Sequence, residues 1–265
     1  MYLILGDCLE KMKSIPDKSV NLLVCDLPYG CLTGGGGKEK AKRLNNNGEI
    51  RTNHAGGVFG CSWDIKIDLN KFWIEVKRIV KDDHTPVLMF CNTKFGFDLY
   101  NSNPEWFRYD LVWNKNRGVS FLSANKMPMK SHEMIYVFSK KGANYYRKDI
   151  EGEFKKWVNK GKARTGQVYG MGMERTNVGD ESEGKRCALS IIDITGKTGK
   201  GQHPTEKPIE LYKFLIERYS KEGDVVLDCT FGSGNSGHAS IQLNRKYIGI
   251  EKDTNYFWKM IKSIL

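Results

Sequence analysis

The sequence predicts an α/β fold, with a mainly parallel sheet and helices on both faces. Three observations carry this. Short β-like apolar runs alternate with segments whose apolar residues recur at helical spacing. The run Val20–Cys25 is apolar almost throughout, as a strand covered on both faces should be. Near the C-terminus, a strand enters a glycine-rich turn and then a helix, with an acid at the end of the following strand.

In order, Tyr2–Leu5 reads as a strand and Cys8–Ser14 as a helix, and the segment from Ile15 to Ser19 carries turn residues. After the Val20–Cys25 strand, Leu69, Phe72, Trp73, Val76, Ile79 and Val80 recur at helical spacing. Strands follow at Pro86–Phe90 and near Phe107–Trp113 and Met134–Phe138. Pro208 opens a helix with Leu211, Leu215 and Tyr219 on its apolar face. Val225–Leu227 is a strand, Ser236–Leu243 a helix, Lys246–Ile250 a strand and Asn255–Ile264 a closing helix.

Two stretches break the alternation. Cys31–Ser62 contains the glycines 34 to 37 and three consecutive asparagines. Gly142–Gly201 is polar, glycine-rich and basic, and loops of this length are uncommon unless functional or disordered. The expected organisation is a core at 1–141 with an insert at 31–62, a recognition region at 142–201, and a return to the same core at 202–265. The chain carries 42 Lys and Arg against 31 Asp and Glu, a formal charge of +11. The excess lies largely in the two inserts and in Asn114–Lys141, which points to a polyanionic partner.

No apolar run approaches the roughly 20 residues of a membrane helix. The first residues show no basic leader and no small-residue cleavage site. The seven cysteines, at 8, 25, 31, 61, 91, 187 and 229, form no pattern of zinc spacing. Reduced thiols, a cytoplasmic location and no metal are the expectation. Cys25 and Cys229, inside apolar strands, read as small buried residues.

The segment Asp228-Cys229-Thr230-Phe231-Gly232-Ser233-Gly234-Asn235-Ser236-Gly237 fits GxGxxG, and Glu251 follows at the distance of a ribose-binding acid. This suits an adenosine-containing cofactor. It does not choose between a nicotinamide dinucleotide and S-adenosylmethionine. Few residues follow the loop, so the remaining strands must come from the N-terminal part of the chain, and the order is circularly permuted. Ligands of open α/β sheets bind at the carboxyl ends of strands, which puts Asp7 and Asp26 near the cofactor.

Asp26-Leu27-Pro28-Tyr29 directly follows the buried strand. Here the chain resembles the DNA amino-methyltransferases, whose hallmark is Asp/Asn/Ser-Pro-Pro-Tyr/Phe, in the permuted β class. Gly6-Asp7-Cys8-Leu9, His203-Pro204-Thr205-Glu206-Lys207-Pro208 and Asp228–Gly234 resemble companion motifs. Leu27 stands where the commonest form has proline. The resemblance covers roughly 1–30, 62–141 and 202–265. It implies a Rossmann-like S-adenosylmethionine-dependent methyltransferase fold and adenine-N6 methylation of double-stranded DNA. S-adenosylhomocysteine is the implied product, with a homodimer and a cognate restriction endonuclease as companions.

By resemblance, Asp26 and the Leu27 carbonyl hold the target amine, Pro28 stiffens the corner and Tyr29 stacks on the flipped base. Asp7, Cys8, Thr205, Lys207, Asp228, Phe231, Gly232, Ser233, Gly234 and Glu251, with Asp26, are the implied cofactor residues. Asp7 and Thr205 also read as helix N-caps. Lys38, Lys40, Lys42, Arg43, Lys115, Arg117, Lys126 and Lys130 are the expected DNA contacts. His132 and His238 read as structural or DNA-facing, and Trp106 and Trp113 as packed. Trp63 and Trp157 are further stacking candidates. Cytosine-C5 chemistry needs a Pro-Cys nucleophile, which the sequence lacks. Cytosine-N4 methylation is the alternative on target base, a nicotinamide dehydrogenase the alternative enzyme class, and a catalytically silent DNA-binding protein the non-enzymatic one.

Overall fold

The computed structural model describes residues 1–30, 43–44, 50–51, 64–119, 121, 124–152, 185–196 and 206–264. Eight strands make one sheet: β1 (Tyr2–Leu5), β2 (Leu22–Cys25), β3 (Val87–Cys91), β4 (Phe107–Val119), β5 (Lys130–Phe138), β6 (Ile191–Asp193), β7 (Val225–Asp228) and β8 (Lys246–Glu251). Their order across the sheet is β1-β8-β7-β2-β3-β5-β4-β6. Neighbours are parallel except β5, which runs antiparallel to both β3 and β4. The helices are α1 (Cys8–Lys11), α2 (Leu69–Ile79), α3 (Thr93–Ser102), α4 (Ile209–Tyr219), α5 (Asn235–Gln242) and α6 (Thr254–Ile264).

Strand β2 explains its own sequence. Successive side chains point to opposite faces, so Leu23 and Cys25 enter one core while Leu22 and Val24 enter the other. The first core takes Met12, Phe72, Trp73, Val76 and Leu99 from one side of the sheet. The second takes Leu211, Leu215, Tyr219, Ala239 and Phe257 from the opposite side. A strand with two buried faces needs apolar residues at every position, and β2 has them.

The permutation is visible as pairing. β1 lies against β8, with Tyr2 opposite Ile248, and Gly6 N donates to the Glu251 carbonyl at 2.9 Å. β7 sits between β8 and β2, so a strand from late in the chain occupies the middle of the sheet.

The structure adds elements that the pattern did not reveal. α3 is one: its Asn92 cap accepts from Phe95 N at 2.8 Å, and it buries Phe95, Gly96 and Leu99. A Cβ on Gly96 would lie 2.8 Å from the Tyr136 hydroxyl, so α3 packs against β5 at a distance that only glycine allows. β4 runs to Val119, well beyond Trp113, and β6 lies parallel beside it. The core sheet therefore extends into the 142–201 stretch, where Trp113 Nε1 also donates to the Ile194 carbonyl at 2.8 Å. Short ribbons join Arg43–Leu44 to Ile50–Arg51 and Ile150–Glu151 to Lys185–Arg186. α4 begins after Pro208, which holds the cap position, so the cap expected at Thr205 is not where the helix starts. Thr205, Lys38, Lys40, Lys42, Trp63 and Trp157 lie outside the described residues. Among the described residues, no helix is long and apolar enough to cross a membrane.

Candidate active site

β7 delivers the chain into the glycine turn. Gly232 and Gly234 have φ of 52° and 82°, the left-handed region that side chains disfavour. Gly234 caps α5, and a Cβ there would meet Met260 Sδ at 2.0 Å. The turn is tied to β8 because Gly232 N donates to Glu251 Oε2 at 2.8 Å. Glu251 Oε1 accepts from Asp253 N at 2.7 Å. Burial raises the Glu251 pKa, and these backbone donors oppose the rise.

Asp228 is buried beneath the turn, at 1% exposure. Its oxygens accept from Ser236 Oγ at 2.6 Å and Thr230 N at 3.1 Å, and Ser236 Oγ also meets the Tyr247 hydroxyl. Burial lifts its pKa to about 7 against those two hydrogen bonds. It braces the loop from below and does not line the cavity described next.

The Asp26 corner follows β2. Asp26 Oδ1 accepts from the Tyr29 hydroxyl at 2.6 Å, and Oδ2 accepts from Lys207 Nζ at 2.5 Å. The Asp26 carbonyl accepts from Thr230 Oγ1 at 3.1 Å, which fastens the corner to the glycine turn. Leu27 is buried in the core. The Tyr29 ring stacks on Phe95 with centroids 5.0 Å apart, and Gly30 N donates to the buried Asp64 at 2.9 Å. Burial, and then the Asp26 charge, raises the Tyr29 pKa well above its usual value.

Lys207 is 4% exposed and also lies 3.3 Å from Glu133 Oε2 on β5. Burial opposes its charge, but Asp26 and Glu133 outweigh burial and raise its pKa. Glu133 also pairs with the Lys115 ammonium. Burial alone would raise the Glu133 pKa, and Lys207 and Lys115 bring it down to about 2. Lys115, expected to face DNA, is turned inward: its side chain is 13% exposed and its ammonium lies 5.2 Å from the centre of the Trp113 ring.

These pieces border one cavity of about 520 Å³. Glu251 and Asp7 stand on its wall beside Phe231, Gly232 and Ser233, and Asp26, Leu27, Pro28 and Tyr29 stand on the same wall with Lys207 and Cys8. Asp7 doubles as the α1 cap, accepting from Leu9 N at 3.0 Å, and its other oxygen lies 3.1 Å from Lys252 Nζ. A cavity with hydrogen-bonding carboxylates at one end, an apolar ring and a glycine backbone fits a nucleoside-containing cofactor. Lys130 lines the cavity, whereas Arg117 and Lys126 are exposed beyond it. Arg43 lies in the first ribbon. His238 Nε2 meets Ser263 Oγ at 3.0 Å and His132 is exposed on β5, while Trp106 and Trp113 are packed. Cys25 in β2 and Cys229, just past the end of β7, are buried free thiols.

Sequence reasoning did not find Phe95, Asp64 or Glu133. Only Glu133 left a signal, as the single acid among six basic residues in Asn114–Lys141.

A family model described as DNA methylase, for N6 and N4 methyltransferases, matches residues 20–262. The chain is 30% identical over 267 residues to the Type II methyltransferase M.HinfI of Haemophilus influenzae. That match takes in 95% of this chain and spans 64% of that relative's length. Among solved structures, 99% of the chain superposes on the PvuII DNA methyltransferase (cytosine-N4-specific), with a TM-score of 0.63, 15% identity and 86% of that chain covered. The M1.HpyAVI–SAM complex gives a TM-score of 0.57 at 18% identity, with 99% of this chain and 98% of that chain covered. At these identities the structures establish the fold.

Proposed function

The chain belongs to the DNA methylase family of N6 and N4 amino-methyltransferases, and from that premise we propose that it methylates the N6 amine of adenine in double-stranded DNA with S-adenosylmethionine. The observation that carries the reading is the Asp26 carboxylate, pinned by Tyr29 and Lys207 at the wall of the cavity that Phe231, Gly232 and Glu251 also line. The companion solved with SAM supports the choice of cofactor for the same fold.

An exocyclic amine on adenine is a poor nucleophile because its lone pair is delocalised into the ring. Two acceptors that take its N–H bonds turn the lone pair out of that conjugation. Asp26 and the Leu27 carbonyl supply them, and a leucine serves as well as a proline because the carbonyl is unchanged. Tyr29 offers a ring face to the base, which must leave the duplex at a cost of a few kcal/mol. Glu251 accepts from the ribose hydroxyls, Asp7 from the adenine amine of the cofactor, and Phe231 and Gly232 admit its body. S-adenosylmethionine would supply the methyl group from its sulfonium and leave as S-adenosylhomocysteine. Asp26 accepts the hydrogen bond from the N–H whose proton, acidic once the nitrogen has gained the methyl, passes by way of that carboxylate to water. Arg117 and Lys126 face the duplex and bind phosphates without reading sequence. Phe121, 74% exposed, stands between them on the same hairpin.

Labelled methyl transfer to unmethylated duplex DNA, with base-resolution modification sequencing of DNA from expressing cells, tests this reading. The expected product is N6-methyladenine at a defined site. Asp26→Ala should lower transfer by about 10²–10³-fold or more, with cofactor binding retained. N4-methylcytosine would replace adenine as target, and no incorporation into varied DNA by folded protein would overturn the enzyme reading.

A further inference from the structure

We propose that Glu133 is a positioning residue for methyl transfer, acting through Lys207 on the Asp26 carboxylate. The proposal rests on the function given above and names a group that no sequence motif contains. Glu133 comes from β5, the reversed strand, and reaches the site from a segment remote in sequence from both Asp26 and Lys207.

The geometry is a chain of alternating charge. Lys115 meets Glu133, Glu133 Oε2 lies 3.3 Å from Lys207 Nζ, and Lys207 Nζ lies 2.5 Å from Asp26 Oδ2. The side chains of Lys207, Lys115, Glu133 and Asp26 are 4%, 13%, 17% and 18% exposed. Two cations and two anions therefore balance where water screens them little. The balance fixes direction as well as charge. Tyr29 holds one Asp26 oxygen and Lys207 the other, so the plane of the carboxylate is set at both ends. A carboxylate has about four acceptor sites, and two remain for an incoming amine. Glu133 draws Lys207 from the side opposite Asp26. Without it, Lys207 would turn its whole charge on Asp26 and compete with the amine for those acceptor sites.

The charged and titratable groups around this centre come from every neighbouring element. Among the described residues they include Asp26 and Tyr29 after β2, Asp64 before α2, Cys91 at the end of β3, Asp110 and Lys115 on β4, Lys130 at the start of β5, Glu206 and Lys207 before α4, Tyr212 on α4 and Asp228 on β7.

Glu133→Gln keeps the shape of the side chain and removes its charge. Relative to wild type on the same DNA, kcat should fall about ten- to a hundredfold, the range for a small misplacement of a reacting group. KM for DNA and Kd for S-adenosylmethionine should hold, and Glu133→Asp should recover part of kcat. A merely structural Glu133 would move cofactor binding or leave kcat alone, and either result overturns the proposal. If Glu133→Gln fails to fold, Glu133→Gln with Lys115→Met removes one charge of each sign, and the same outcomes apply. Independently of activity, NMR of the Lys207 ammonium in the full chain should show it losing its proton at lower pH in Glu133→Gln, because the Glu133 carboxylate beside it is gone. An unchanged titration would overturn the link. A shifted titration in a protein that transfers no methyl group would retain the link and overturn the proposed function.

Discussion

The two sides of the site hold their carboxylates by different means. On the glycine-turn side, Glu251 and Asp228 accept from backbone N–H groups and a serine hydroxyl, all within the stretch from Asp228 to Asp253. On the Asp26 side, Asp26 and Glu133 are held by ammonium groups from distant segments. Backbone donors are fixed as soon as the local turn forms, so Glu251 and Asp228 are preorganised by a single β-turn-α-β unit, to which the end of β1 adds Asp7 with Lys252 beside it. The second half exists only when four separate parts of the chain have come together. A binding half can be local because it must recognise one constant molecule. A reacting half needs charges placed from several directions, which no short segment can supply.

The largest test of this contrast is Lys207→Met. It leaves the Asp26 and Glu133 carboxylates without their shared cation, and removal of one partner from a buried ion pair costs about 3–5 kcal/mol. Denaturant unfolding should show that loss. Wild-type stability would mean that the assembled half is not held by charge.

Glu251→Gln acts on the local half. Loss of a charged hydrogen-bonding group costs about 1.5–3 kcal/mol, so the dissociation constant for S-adenosylmethionine should rise roughly ten- to a hundredfold. Calorimetric titration reads it, with kcat at saturating cofactor little changed. If kcat falls and affinity holds, the division of labour between the halves is wrong.

The last test separates the halves by pH. The folded pKa of Asp228, about 7, stands above its ordinary 3.8. Its favourable contribution is therefore complete below about 3.8 and is lost as pH rises toward 7, with a slope of at most about 1.4 kcal/mol per pH unit. Glu133 is opposite: at about 2 against an ordinary 4.5, it stabilises fully above 4.5 and loses that contribution as pH falls toward 2. Unfolding free energies across pH 3–8 should flatten on the neutral limb in Asp228→Asn and on the acid limb in Glu133→Gln.

The same contrast accounts for what the sequence made legible. The alternating elements, the glycine turn with Glu251, and the Asp26 corner were readable because each is a local pattern with a local cause. β2 was readable because burial on both faces demands an unbroken apolar run. α3 was missed: its apolar face is short, and it includes a glycine that a pattern search counts against a helix. β6 was missed because three residues carry no periodicity, and Ile191 and Asp193 are exposed. Lys115 was assigned to DNA by composition, but its direction is set by Glu133 across the hairpin. Phe95, Asp64 and Glu133 belong to the site only through tertiary contact, and no spacing in one sequence announces that.

The seam between β1 and β8 also sets a schedule. On the ribosome β1 is made long before its neighbour in the sheet, β8, where Ile248 stands opposite Tyr2. At 5–20 residues per second that interval is roughly 10 to 50 seconds. Throughout it β1 has no partner, and for nearly all of it the glycine turn that would seat the methyl donor has not been synthesised. A product cut short before β7 would carry the Asp26 corner and the basic hairpin but have no place for the methyl donor, so a half-made copy could touch DNA without marking it.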